Sequence, residues 1–244
     1  MQPTVRRHRV SVVGVIGEIL ITAGVFVFLF LGWQLWLNDI IVGGEQRSDA
    51  IALSRELGSA ASPDEPVDPE DDFGEPVVGA VVAPATQFAN IYIPRFGADY
   101  VRPIAEGVSA STVLTTGVGH YPGTQLPGEV GNFALAAHRT TYGAPFNQIS
   151  SLQVGDKIYI QTAEGWYTYV FRSLEYVRPT GVGVLDPVPQ AEGVPPTDRV
   201  LTMTSCNPVL SAAERIIAYS VFDSWRPAAA GPPTEVAALA QGGA

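Results

Sequence analysis

The chain has 244 residues, 46% of them apolar, enough for one domain of moderate size with a real core plus appendages. Its 25 glycines and 20 prolines favour a loop-rich β architecture over a helical bundle. The net charge of −10 excludes nucleic-acid binding through a basic patch, and the part past residue 38 is more acidic still, because Arg6, Arg7 and Arg9 precede it.

Residues 1–9 read as a short basic tail and residues 10–37 as one transmembrane helix. Within it, Ile19 to Leu37 runs 19 residues without a charge, about the length that crosses a bilayer. Trp33 and Trp36 lie near its outer end, where indole rings favour the interface. The arginines before it and Asp39 and Glu45 after it predict a cytoplasmic N-terminus and an extracellular remainder. The run is long for a signal peptide, and no small-x-small cleavage site follows, so an uncleaved anchor is expected.

Residues 38–79 read as a juxtamembrane segment followed by an acidic, Pro-rich linker. Ser48 to Leu57 has helical spacing, whereas Ser59 to Glu75 holds too few apolar residues to order itself. That stretch is expected to hold the next domain off the membrane. Residues 80–226 form the folded part. Strands are predicted at Phe88–Ile93, Asn132–Ala137, Lys157–Thr162, Trp166–Val177, Arg199–Thr204 and Arg215–Phe222. Lys157 to Phe171 alternates like a hairpin turning at Ala163-Glu164-Gly165. Several strands at short spacing predict a mainly β fold, a closed or nearly closed barrel that leaves no exposed edges. Residues 227–244, rich in Ala, Gly and Pro, are expected to lack order.

Cys206 is the only cysteine, at the end of the apolar run Leu201-Thr202-Met203-Thr204-Ser205. A lone thiol outside the cytosol is an inert buried residue, an intermolecular link or a nucleophile. His138 and Arg215 favour the nucleophile. Each of the three lies at the end of a predicted strand, where all can converge on one rim. Imidazole and guanidinium favour thiolate, arginine stabilises an oxyanion, and imidazole protonates a leaving amine. Against this stand a hydrogen-bonded structural histidine and an Arg215 paired only with a carboxylate such as Glu214. Three histidines, one of them in the N-terminal tail, are too few for a convincing zinc site, and no carboxylate cluster calls for a metal.

Leu201-Thr202-Met203-Thr204-Ser205-Cys206 resembles the TLTTC-type signature of sortases, membrane-anchored cysteine transpeptidases of Gram-positive cell surfaces. Ala136-Ala137-His138-Arg139 resembles their GHR segment, and Asn207-Pro208 with Ser211 to Arg215 resembles the loop leading to their arginine. Gly119-His120-Tyr121-Pro122-Gly123-Thr124, with Leu126-Pro127-Gly128-Glu129 and Gly131-Asn132, is similar to the actinobacterial class E enzymes. The match departs at Ala137, where many relatives have glycine, and at Met203; neither change removes a reacting group.

The resemblance implies a sortase-type barrel of about eight strands with short helices, after one membrane helix. It implies a Cys206 nucleophile, a His138 proton donor and an Arg215 that holds the substrate carbonyl or oxyanion. The bond cut is Thr–Gly in a C-terminal sorting signal, LAxTG-like rather than LPxTG. The implied partners are secreted proteins bearing that signal and a peptidoglycan-precursor amine; no cofactor is implied. Residues expected to line the groove are His120, Tyr121, Thr204, Ser205 and Ala137, with His120 equally suited to pinning its Gly-rich loop. Tyr142 and Arg139 are expected to support the rim. A pilus-polymerising relative is disfavoured, since Asp72-Phe73-Gly74 only weakly echoes a lid motif. A non-catalytic β-barrel binding module is the other alternative, and it predicts an unreactive Cys206.

Overall fold

Alternating apolar and polar residues build a sheet that closes on itself. The computed structural model describes residues 11–33, 37–59 and 73–240. Eight strands follow in chain order: β1 (Gln87–Tyr92), β2 (Val101–Glu106), β3 (Val118–His120), β4 (Gly131–Ala136), β5 (Lys157–Gln161), β6 (Gly165–Val177), β7 (Arg199–Asn207) and β8 (Glu214–Pro227). They form a closed barrel in the order β1-β2-β3-β4-β7-β8-β6-β5. The β2–β3 and β4–β7 pairs are parallel, and the others are antiparallel.

The barrel meets the expected fold class, and the six predicted strands are all present. The sequence reading missed β2 and β3. β2 carries Pro103 and two charged residues, and β3 is three residues inside a Gly-rich stretch. Both lack the alternation that marks a strand by itself, and pairing with neighbours creates them. The interior is filled by Ile91, Ile104, Phe133, Leu135, Phe146, Ile158, Tyr169, Leu201, Met203 and Ile216, all buried. Each such large side chain contributes about 2 kcal/mol by leaving water.

Helix α1 (Val12–Gly32) buries no residue. Among the described residues it is the one helix long and apolar enough to cross a membrane, with mean hydropathy 2.5. Helix α2 (Asn38–Ser59) follows within a few residues and lies on β1 and β2. Its buried stripe is Gly43, Gln46, Ala50, Ser54 and Leu57, the three- and four-residue spacing of one helix face. Small and polar side chains there let backbones approach and bond. Asn90 Nδ2 donates to Ala50 O at 2.8 Å, and Gln161 Nε2 donates to Ser54 O at 3.2 Å.

This docking departs from the expected arrangement. Part of the expected linker, residues 60–72, lies outside the described residues, but the helix before it belongs to the barrel body. The chain after it does too: Trp225 Nε1 donates to Gly74 O at 3.0 Å, and Arg199 pairs with Glu75. The tail expected to lack order is ordered as far as Ala240. Val236, and Leu239 and Ala240 of the last turn, α3 (Ala237–Ala240), are buried with Ala50 of α2, and Ser54 Oγ donates to Ala240 O at 3.0 Å. Apolar side chains and one hydrogen bond overcome the weak order that composition suggests.

Candidate active site

Strand register decides which residues share a face. On β7, Leu201, Met203 and Ser205 turn inward and Thr202, Thr204 and Cys206 turn outward, because successive side chains alternate. Across the β7–β8 pair Cys206 lies opposite Arg215, so thiol and guanidinium project from the same outer face. On the other side β4 runs parallel to β7, with Ala136 beside Thr204. The register extends past the strand through Ala137 N, which donates to Thr204 O at 3.2 Å. One residue further, His138 returns to the outer face alongside Cys206. The three expected reacting residues thus come from three adjacent strands at one barrel end.

Arg215 is not spent on Glu214. Its Nη1 donates to the Ala212 and Glu214 carbonyls at 3.1 and 3.0 Å, while the Glu214 carboxylate accepts from Asn207 Nδ2 at 3.1 Å. One guanidinium nitrogen is anchored to the backbone, leaving the rest of the fork for an acyl oxygen. His138 is half-buried, and its Nε2 is a buried atom without a hydrogen-bond partner. Burial lowers its pKa, and the nearby Asp39 charge partly offsets this. Its ring lies 5.0 Å from that of Tyr142.

Arg139 ties this constellation together. It is 5% exposed. It donates from Nε to Asn147 O at 3.0 Å, from Nη2 to Ser150 Oγ at 3.1 Å, and from Nη1 to Cys206 O at 3.3 Å. The residue after the imidazole therefore holds the backbone of the thiol, which agrees with its expected supporting role.

The five groove candidates divide by face. Tyr121 and Thr204 lie outward, with Tyr121 OH and Thr204 Oγ1 3.0 Å apart on the side that carries Cys206. Ser205 and Ala137 turn inward; Ser205 Oγ donates to Ala137 O at 2.8 Å and fastens β7 to the segment carrying His138. His120 is 2% exposed and pairs in register with Leu135, so it too faces inward. Its Nδ1 lies 2.6 Å from Glu106 Oε2, and its Nε2–H is shared between Gln125 O and Thr124 Oγ1, both at 3.0 Å. Of the two roles expected for His120, its contacts serve the pinning one, since they fix the loop that starts at Tyr121. Period-two alternation, readable from the sequence, separates these residues.

Asp39 is the residue that sequence reasoning missed. It sits in the first turn of α2, and its Oδ1 accepts from Gly143 N at 3.2 Å beside the histidine loop. Nothing in its local sequence signals this contact, which joins segments far apart in the chain. Among the described residues no group of three or more His, Cys, Asp or Glu is placed to hold a metal.

Known proteins resemble this chain in sequence and in fold. A family model described as Sortase domain matches residues 91–222. The chain is 36% identical over 227 residues to sortase SrtE1 of Streptomyces coelicolor, covering 89% of this chain. It spans only 59% of that relative's length. Among solved structures, sortase E1 of S. coelicolor with a tripeptide in its active site superposes with TM-score 0.58 at 38% identity, covering 64% of this chain and 99% of that one. SrtA of Actinomyces oris superposes with TM-score 0.64 at 36% identity, covering 68% and 95%.

Proposed function

Because the chain belongs to the sortase family, we propose that it is a membrane-anchored cysteine transpeptidase that moves secreted proteins onto the cell wall. One observation carries this reading. Cys206 and Arg215 are register partners on an outer face, and the next strand of that face delivers His138.

Sγ of Cys206 attacks the Thr carbonyl of a C-terminal sorting signal. The carbonyl oxygen gains charge, which the guanidinium of Arg215 stabilises. As the C–N bond to glycine breaks, imidazolium His138 gives its proton to the departing amine. The product is a thioester on Cys206 and a neutral imidazole. A peptidoglycan-precursor amine then attacks the thioester, the C–S bond breaks, and the amine's proton returns to His138. Tyr121 and Thr204 flank the thiol and are the residues proposed to hold the peptide. α1 anchors the enzyme, with the arginines before it in the cytoplasm and the barrel outside.

The test uses the full chain in detergent with quenched LAxTG and LPxTG peptides, with and without an amine acceptor. Cleavage between Thr and Gly, favouring LAxTG and accelerated by the amine, is expected, with no turnover by Cys206→Ala. A folded enzyme that cuts neither peptide sinks the proposal and leaves the non-catalytic barrel.

A further inference from the structure

Helix α2 grips the loop that carries His138. Gln46 Nε2 donates to Tyr142 O at 2.9 Å and to Thr115 O at 3.3 Å. Asp39 Oδ1 accepts from Gly143 N at 3.2 Å. Gly143 has φ +73°, and a Cβ there would lie 2.9 Å from Gly43 N, so helix and turn meet backbone to backbone. Tyr142 and Ala144 on either side also have positive φ, 53° and 42°. A turn with three consecutive residues of positive φ persists only where its surroundings hold it. What this turn presents to the site is the Tyr142 ring, 5.0 Å from the imidazole. The imidazole itself has the buried, unpartnered Nε2.

We propose that α2 is a working part of the active site, in which Asp39 is the positioning residue that sets the orientation and proton affinity of His138. The helix next to the membrane anchor thereby supplies the carboxylate that the barrel strands do not place beside the histidine. This deepens the transpeptidase reading and rests on His138 as its proton donor.

The two groups act on each other through their charges: the Asp39 carboxylate favours imidazolium, and imidazolium favours carboxylate. Burial opposes both, pushing Asp39 up and His138 down. Arg139 and Tyr142 share the histidine loop, the Tyr142 ring lying against the imidazole, and Cys206 of β7 and Arg215 of β8 are register partners on the outer face to which His138 returns. Arg47, Asp99 and Arg102 line the cleft of about 430 Å³ that opens beside Asp39. Among the described residues, Asp39 is the carboxylate whose charge raises the proton affinity of the imidazole against its burial.

The test reads His138 without turnover. In the full chain in detergent, carrying Cys206→Ala to remove thiol coupling, the imidazole of His138 is titrated by NMR with labelled histidine. His138→Gln assigns its signal. Replacing Asp39 by Asn, whose amide oxygen can still accept from Gly143 N, is expected to lower the His138 midpoint by removing the charge that favours imidazolium. Asp39→Glu, which restores the carboxylate, is expected to recover at least half of the shift. In the active enzyme, the limb of the kcat/KM profile that titrates the imidazole moves to lower pH in Asp39→Asn. Asp39→Ser keeps an acceptor for Gly143 and serves if Asn disturbs folding, which a melting curve reads. An unmoved midpoint in a folded charge-removing variant, or a shift that Glu does not reverse, overturns the proposal. An enzyme whose parent form cleaves no peptide would instead remove the transpeptidase reading, while the midpoint still decides whether Asp39 sets His138.

Discussion

His138→Ala is expected to lower kcat/KM for a sorting-signal peptide by about 10³-fold, the loss typical of a missing general acid. The imidazole is the group proposed to carry a proton to the leaving amine and take it back. Its Nε2 has no protein partner, which leaves that atom for a reacting group. Arg215 is anchored through Nη1 to two carbonyls, and a guanidinium is no general acid at neutral pH. The barrel should melt where the parent does, because His138 is half-buried at the rim and outside the core. Steady-state kinetics beside a thermal melt check both points. A loss smaller than tenfold would mean that the proton comes from elsewhere.

Glu106→Ala is expected to cost about 3 kcal/mol of stability, because it removes the partner of a histidine that is 2% exposed. A proton lies in the 2.6 Å contact between Glu106 Oε2 and His120 Nδ1, whichever atom carries it. Losing the carboxylate strands Nδ1 among Phe133 and Phe88, whose rings lie 5.3 and 6.0 Å from the imidazole. The melting temperature should fall by roughly 8 °C. Activity should drop as well, since the same imidazole pins the 121–125 loop and Tyr121 with it. Replacing Glu106 and His120 together by leucine should cost less than the single change, as apolar pairs often substitute for buried polar ones. Equal stability of Glu106→Ala and the parent in a denaturant titration would show that the pair holds nothing.

The parts legible in the sequence share a physical cause. Lys157 to Phe171 alternates because one face packs inward, so the hairpin stood out. The order of His138, Cys206 and Arg215 at strand ends stood out because polar residues closing apolar runs mark a rim. What stayed hidden depends on packing. The buried stripe Gly43, Gln46, Ala50, Ser54 and Leu57 carries one large apolar residue, so a hydrophobicity pattern passes over it. The helix binds through close approach and hydrogen bonds instead. β3 is a strand because β2 and β4 flank it, and the contact of Asp39 with the histidine loop exists only in the folded chain. The faces of the groove candidates were within reach: counting by two from Cys206 puts Thr204 on the face of the thiol and Ser205 on the other, and counting by two along β4 to His138 turns Ala137 inward.

The most direct measurement is the mass of the intact enzyme in mid-reaction. The full chain in detergent is mixed with an LAxTG peptide without acceptor amine, quenched in acid, and weighed. The account predicts an added mass equal to the peptide's fragment ending in Thr, mapped to Cys206, absent in Cys206→Ala and discharged when an amine is supplied. Peptide cleavage with no adduct on Cys206, or an adduct on another residue, would contradict it.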